Sequence, residues 1–212
     1  MSAARIDHVV LGVRDLEGAA RRLLEDFGLA SVFGGHHVGW GTGNLIVPLG
    51  SNYVELLGVV DEKQATQSVL GRHLLSTMEE GDRLIGWCVA VGPFDETVDR
   101  LGLTASEGSR VRADGTTLRW RSAGLAEAMA HPSRPFFISW LVPPAMHPGR
   151  TSVYHPAAPK GLAWVEVNGD EAAIRRWLGP GGEELPVRVL PGSPALVGAG
   201  IATASGNEIV LR

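Results

Sequence analysis

The chain carries one order of apolar runs twice, and that repeat limits its fold more than any other feature. The first copy opens with Ile6-Asp7-His8-Val9-Val10-Leu11-Gly12-Val13, a run of strand type. Asp15 then stands where an N-cap belongs, and Leu16, Ala19, Ala20, Leu23, Leu24 and Phe27 recur at helical spacing up to Gly28, a left-handed stop. Gly34, Gly35, Gly39, Gly41 and Gly43 punctuate the next stretch as a hairpin of two short strands ending at Val47. Pro48 to Asn52 reads as a turn into a closing strand that runs to Val60 and carries Glu55.

The same order returns at Leu84. Leu84 to Val91 is an apolar strand, Phe94, Val98 and Leu101 mark a short helix, and Gly102 ends it. Arg110-Val111-Arg112 and Thr117 to Arg121 form a hairpin about Ala113-Asp114-Gly115, and Pro135 to Val142 closes the copy. A third, weaker copy follows: a strand over Gly161 to Val167, a helix over Asp170 to Leu178, then strands at 187–189, 195–202 and 208–211. The expected organisation is a first βαβββ unit over 1–60, a helical connector over 61–83, a second unit over 84–142, a Pro-rich linker over 143–160 and a third βαβββ-like unit over 161–212. The fold class is α+β, with helices outside curved sheet.

Composition narrows the partners. The net charge of −4 comes without a basic block, which excludes a nucleic-acid surface. No apolar run approaches the roughly 18 residues of a membrane span, and the start Met1-Ser2-Ala3-Ala4-Arg5 lacks a signal h-region, so the expectation is a cytoplasmic protein. The single cysteine, Cys88, excludes an internal disulfide and a cysteine-rich zinc site, and reads as an inert core residue. No Gly-x-Ser-x-Gly elbow, Walker loop or zinc-protease helix occurs, and the glycine-rich 39–43 stretch lacks the strand-to-helix setting of a phosphate cradle.

His8 and Glu55 are ionisable residues inside runs that otherwise read as buried, and burial without a partner costs several kcal/mol. Strand alternation puts His8 with Ile6 and Val10, and Glu55 with Tyr53 and Leu57. The setting of His8 in "IDHVVLGVRDLE" and of Glu55 in "NYVELLGV" resembles the vicinal oxygen chelate superfamily, and more narrowly its glyoxalase-like domain proteins of the glyoxalase, bleomycin-resistance and dioxygenase type. "RVRADGTTLRWR" and "PFFISW" followed by "HPG" resemble the second unit of that subgroup. The resemblance implies that units one and two pair into a partly open barrel whose interior holds a divalent metal and a small oxygenated substrate.

In that family the metal ligands come from the first and last strands of both units, and His8 and Glu55 match the first-unit positions. Equal register places Trp87 opposite His8 and Ser139 opposite Glu55, neither a good cation ligand. His147 is the expected third ligand for zinc, iron(II), manganese or nickel, with His36 and His37 as alternatives. His155 reads as a surface-loop residue, and His73 as a solvated helix residue. Without a metal, a carboxylate beside an imidazole orients it for proton transfer near neutral pH.

Substrate contacts are expected from Trp40, Asn44, Trp87 and Ser139, together with Arg119 and Arg121 if Trp120 packs beneath the sheet. If Trp120 faces the cleft, those arginines form a solvated edge. The functional expectation is a glyoxalase-like protein that binds a small oxygenated, anionic compound between units one and two, with isomerase, lyase or dioxygenase chemistry at His8 and Glu55. The rival is a metal-free receptor of resistance type without catalysis. A homodimer through the free edge of the third unit is a further expectation.

Overall fold

In the computed structural model, residues 4–112 and 114–212 are described. Met1, Ser2 and Ala3, and Ala113 in the expected hairpin turn, lie outside them. The first unit comprises β1 (Arg5–Gly12), α1 (Leu16–Phe27), β2 (Val32–His37), β3 (Thr42–Pro48) and β4 (Tyr53–Val59). Gly28 ends α1 in the left-handed region at φ 64°, while Asp15 sits at the N-cap without a side-chain capping bond. The connector holds α2 (Glu62–Ala65) and α3 (Val69–Thr77), capped by the side chains of Asp61 and Ser68. The second unit comprises β5 (Arg83–Ala90), α4 (Phe94–Leu101), β6 (Ala105–Val111), β7 (Thr117–Ala123), α5 (Leu125–Ala130) and β8 (Phe136–Trp140).

These eight strands form one sheet in the order β2-β3-β4-β1-β5-β8-β7-β6. Within each unit the first and last strands are parallel, β1 with β4 and β5 with β8. The units join through antiparallel β1 and β5. The sheet curls into a barrel with an unsealed seam, where β2 and β6 face each other and the Gly35 backbone lies against the Arg110 side chain. Arg110 Nη1 reaches across this seam and donates to Asn44 Oδ1 on β3 at 2.9 Å.

The third unit comprises β9 (Pro159–Asn168), α6 (Glu171–Leu178), β10 (Val187–Leu190), β11 (Ala195–Thr203) and β12 (Glu208–Leu211), in the sheet order β10-β9-β11-β12. Its element order repeats the other units but its pairing does not. Here the first strand is parallel to the second, β10, rather than to the last. Its apolar face packs on the outside of the barrel, where Ile6, Val9, Trp87 and Val89 share one core with Val165, Ile174, Trp177 and Ile201. Arg100 fastens α4 to the end of α6 by donating to the carbonyls of Arg176, Trp177 and Leu178. No helix among the described residues is long and apolar enough to cross a membrane.

His155 is half-buried rather than a free loop residue. Its Nδ1 accepts from the Ala30 amide at 3.0 Å, which leaves Nε2–H to donate to the Pro48 carbonyl at 2.8 Å. The linker is thereby pinned to the first unit.

Candidate functional site

The inside of the barrel encloses a cavity of about 110 Å³. Its floor is His8, Tyr53 and Glu55, from β1 and β4; one corner holds His37, Asn44 and Arg110; and Leu57, Ile85, Trp120 and Phe136 make an apolar wall. Leu70 and His73 of α3, with Leu125 and Met129 of α5, also line the cavity. His73 is therefore a half-buried lining residue, and burial lowers its pKa.

His8 is fixed by its sequence neighbour. Strict alternation would turn Asp7 and His8 to opposite faces, but the β1–β5 ladder shifts register between Ile6 and His8. Both side chains are buried, and His8 Nδ1 lies 2.8 Å from Asp7 Oδ1. An ionised carboxylate only accepts, so His8 donates from Nδ1 and its Nε2 is left facing Glu55 Oε2 at 3.7 Å. Tyr53 stacks on the imidazole with centroids 4.5 Å apart. Its phenol is pushed up by burial and by the charges of Asp7 and Glu55, which keeps it neutral.

Asp7 Oδ2 accepts from Trp140 Nε1 at 3.1 Å and from His147 Nε2 at 3.0 Å, with Arg5 Nη2 at 3.4 Å. The tautomer of His147 follows from its other nitrogen, since Nδ1 accepts from the Gly149 amide at 3.1 Å. Burial alone would raise the pKa of Asp7. The bonds from His147 and His8, and the electrostatic attraction of both rings, outweigh it and hold the carboxyl well below the usual range.

A second chain of bonds runs along the other side of the cavity. Asn44 Nδ2 donates to Glu55 Oε1, and Asn44 Oδ1 accepts from Arg110. His37 Nδ1 lies 2.9 Å from Thr42 Oγ1. Burial lowers the His37 pKa; Glu55 opposes this, while Arg110 and His36 reinforce it.

Of the residues expected at the site, His8, Glu55, Trp40 and Asn44 line the cavity. Trp87, Ser139, Arg119 and Arg121 do not. Trp87 faces the outer core and donates from Nε1 to the Ser133 carbonyl at 3.2 Å. Trp120 lines the cavity, which turns its neighbours to the opposite face of β7: Arg119 is exposed, and Arg121 pairs with Asp95 at 2.7 Å and lies over the Phe94 ring. Ser139, opposite Arg121, borders a separate depression with Arg5 and Arg150. The expected second-unit register is thus off by one residue. Gly86, Phe136 and Ile138 face the cavity, and none can ligate through a side chain. Arg110 carries no signal in the sequence pattern that marks it as a site residue; Tyr53 shares the face of Glu55, and Asp7 lies in the apolar run of His8, but alternation alone turns Asp7 away from it.

The set expected for a divalent ion, His8, Glu55 and His147, is not assembled. Both nitrogens of His147 are engaged, on the far side of Asp7 from His8. Among the described residues, the three donors that meet within 4.8 Å are Asp7, His8 and Cys88. An ion there would have to displace the bonds to Asp7 and take a proton from a thiol that burial, Asp7 and Glu55 push well up. These residues do not fit a resident metal.

Two βαβββ halves curled about the His8–Glu55 pair define a barrel of vicinal oxygen chelate type. The sequence matches the glyoxalase-like domain over residues 6–180, and the chain belongs to that family. A hypothetical protein from Staphylococcus aureus shares the fold over 99% of both chains, at 14% identity and a TM-score of 0.72. Methylmalonyl-CoA epimerase from Mycobacterium tuberculosis aligns over 64% of this chain and 85% of its own, at 18% identity and a TM-score of 0.45. A Streptomyces coelicolor methylmalonyl-CoA epimerase in complex with 2-nitronate-propionyl-CoA aligns over 65% of this chain and 96% of its own, at 16% identity and a TM-score of 0.46. No curated protein matches the sequence.

Proposed function

We propose that the chain is a small-molecule enzyme that moves a proton on an oxygenated ligand held inside the barrel, with His8 as the base and no resident metal. The observation that carries this reading is the bond from His8 Nδ1 to Asp7, which leaves Nε2 as an acceptor turned into the cavity. A positioned imidazole backed by a carboxylate contributes about 10²–10⁴-fold to a proton-transfer step. The ligand's C–H beside a carbonyl gives its proton to Nε2, and the bonding pair moves onto the carbonyl oxygen as an enolate. Return of a proton to the same or a neighbouring carbon gives an isomerase, and loss of a group from the next carbon gives a lyase. Glu55, held by Asn44 and 3.7 Å from His8, is the second proton-transfer group.

The test is exchange of carbon-bound hydrogen with D₂O, followed by NMR, for a panel of short 2-oxo acids and aldehydes. Exchange by the wild type that is lost in His8→Gln supports the reading. Binding without exchange in either protein favours the rival, a receptor without catalysis. Full metal analysis belongs beside it: a stoichiometric divalent ion lost in both His8→Ala and Glu55→Ala would overturn the metal-free mechanism.

A further inference from the structure

Arg110 is the least explained charge in the protein. It comes from β6, is 7% exposed, and lies in the wall of the cavity. Its Nη1 is engaged by the Asn44 carbonyl oxygen, and its Nε is buried with no hydrogen-bond partner. No hydrogen bond from Nη2 is present among the described residues, and no carboxylate oxygen among them lies within 4.0 Å of the guanidinium. Glu55 does not serve as counter-ion by contact, because the Asn44 amide stands between the two. Leaving a buried donor of a charged group unpaired costs more than the roughly 1–3 kcal/mol of a neutral one. Proteins keep such a group where something else completes it.

A guanidinium receives a carboxylate side-on through two parallel N–H groups, and the Nε and Nη2 pair is one of the edges that can do so. Nε is closed off from solvent, so a ligand carboxylate meets Nη2 first and reaches Nε only with a small shift of the guanidinium. Asn44 occupies the remaining corner and fixes the plane of the group. Leu57, Leu70, Ile85 and Phe136 give one apolar side of the wall, while His8, Tyr53 and Glu55 form the floor and the Asn44 amide holds Glu55 away from the guanidinium. A ligand that suits both parts is a small acid with an apolar body.

We infer that Arg110 is a carboxylate anchor, and that the cavity selects small monocarboxylates whose apolar body lies against Leu57, Ile85 and Phe136. This rests on the reading of the barrel interior as the binding site, but it does not depend on His8 acting as a base. Trp40, Trp120 and Trp140 line the same cavity and supply a fluorescence signal for binding.

The test is titration of the whole chain with isovalerate, phenylacetate and phenylpyruvate, each beside its neutral primary amide. The expected result is an acid bound at least about 30-fold tighter than its amide, the scale of charge-assisted hydrogen bonds. Arg110→Met brings acid and amide to within about threefold, and Arg110→Lys, which keeps the charge but not the fork, falls between. Equal binding of acid and amide by the wild type, no binding of any acid in the set, or an acid preference that survives in Arg110→Met overturns the inference. The wild-type comparison stands even if a variant fails to fold. His8→Gln separates the two claims: the acid preference persists in it while hydrogen exchange is lost.

Discussion

Asp7 and His8 are neighbours in sequence whose side chains meet at 2.8 Å, both inside the protein. The carboxylate receives one imidazole on each oxygen, His8 on Oδ1 and His147 on Oδ2. It therefore joins the barrel floor to the segment that follows the second unit, and it fixes which nitrogen of His8 faces the cavity.

Asp7→Asn is expected to cost at least about 1–3 kcal/mol at neutral pH, because the amide keeps one acceptor oxygen but turns an N–H against donors that now bond a carboxylate. The folded pKa of Asp7 lies below the 3.8 of the free group, so its contribution is complete above that value and is lost as pH falls below it. Urea unfolding of both proteins at about pH 7 and about pH 3 checks this. The gap between them should narrow at the lower pH, and a constant gap would sink the argument.

His37 gives a slope of its own. Its folded pKa lies below 6.5, chiefly through burial, so the unfolded chain takes up a proton first as pH falls. Its contribution to stability is complete above 6.5 and declines below it. The decline is at most about 1.4 kcal/mol for each step of one in pH, the slope that a single proton can give. His37→Asn should flatten the dependence of the urea midpoint between about pH 7.5 and about pH 5.5. An unchanged slope would show that another group carries it.

Cys88 is fully buried, and burial together with Asp7 and Glu55 pushes its thiol up. Thiolate is the reactive form, so the folded protein should resist iodoacetamide at about pH 8 and label at the rate at which it opens. Labelling that saturates within minutes, without unfolding, would contradict the burial.

What the sequence could and could not reveal follows from local physics. His8 and Glu55 were legible because a charge inside an apolar run demands a partner. The repeat was legible because strand, helix and glycine stop recur in the same order. Trp87 and Ser139 were misplaced by one residue, since alternation turns every side chain over when register slips by one. Asp7 is a charge in the same run, but its meeting with His8 was hidden, because alternation turns the two apart and no residue type announces the irregularity after Ile6. Arg110 was hidden because β6, Ala-Ser-Glu-Gly-Ser-Arg-Val, reads as a polar edge. Its burial comes from closure of the barrel, a long-range event. The different pairing of the third unit has the same cause: element order does not fix which strands meet.

Gly34 tests the seam itself. A Cβ built on it would meet the Asn44 carbonyl oxygen and sit 2.6 Å from Arg110 Nη1, so the bond between those two groups exists only because this position has no side chain. Neither partner can retreat freely, since Asn44 is also tied to Glu55 and Arg110 is confined by burial. Gly34→Ala should cost about 1–3 kcal/mol, the range for overpacking a filled site. It should also weaken binding of the carboxylate probes more than that of their amides, because it moves the guanidinium while leaving the apolar wall in place. Gly39→Ala is the control, since its Cβ would meet nothing within 4 Å. With Gly39 at φ 78°, that variant carries backbone strain but no clash, and the acid preference should survive it. Equal loss of preference in both variants would mean that the effect comes from general destabilisation rather than from the bond across the seam.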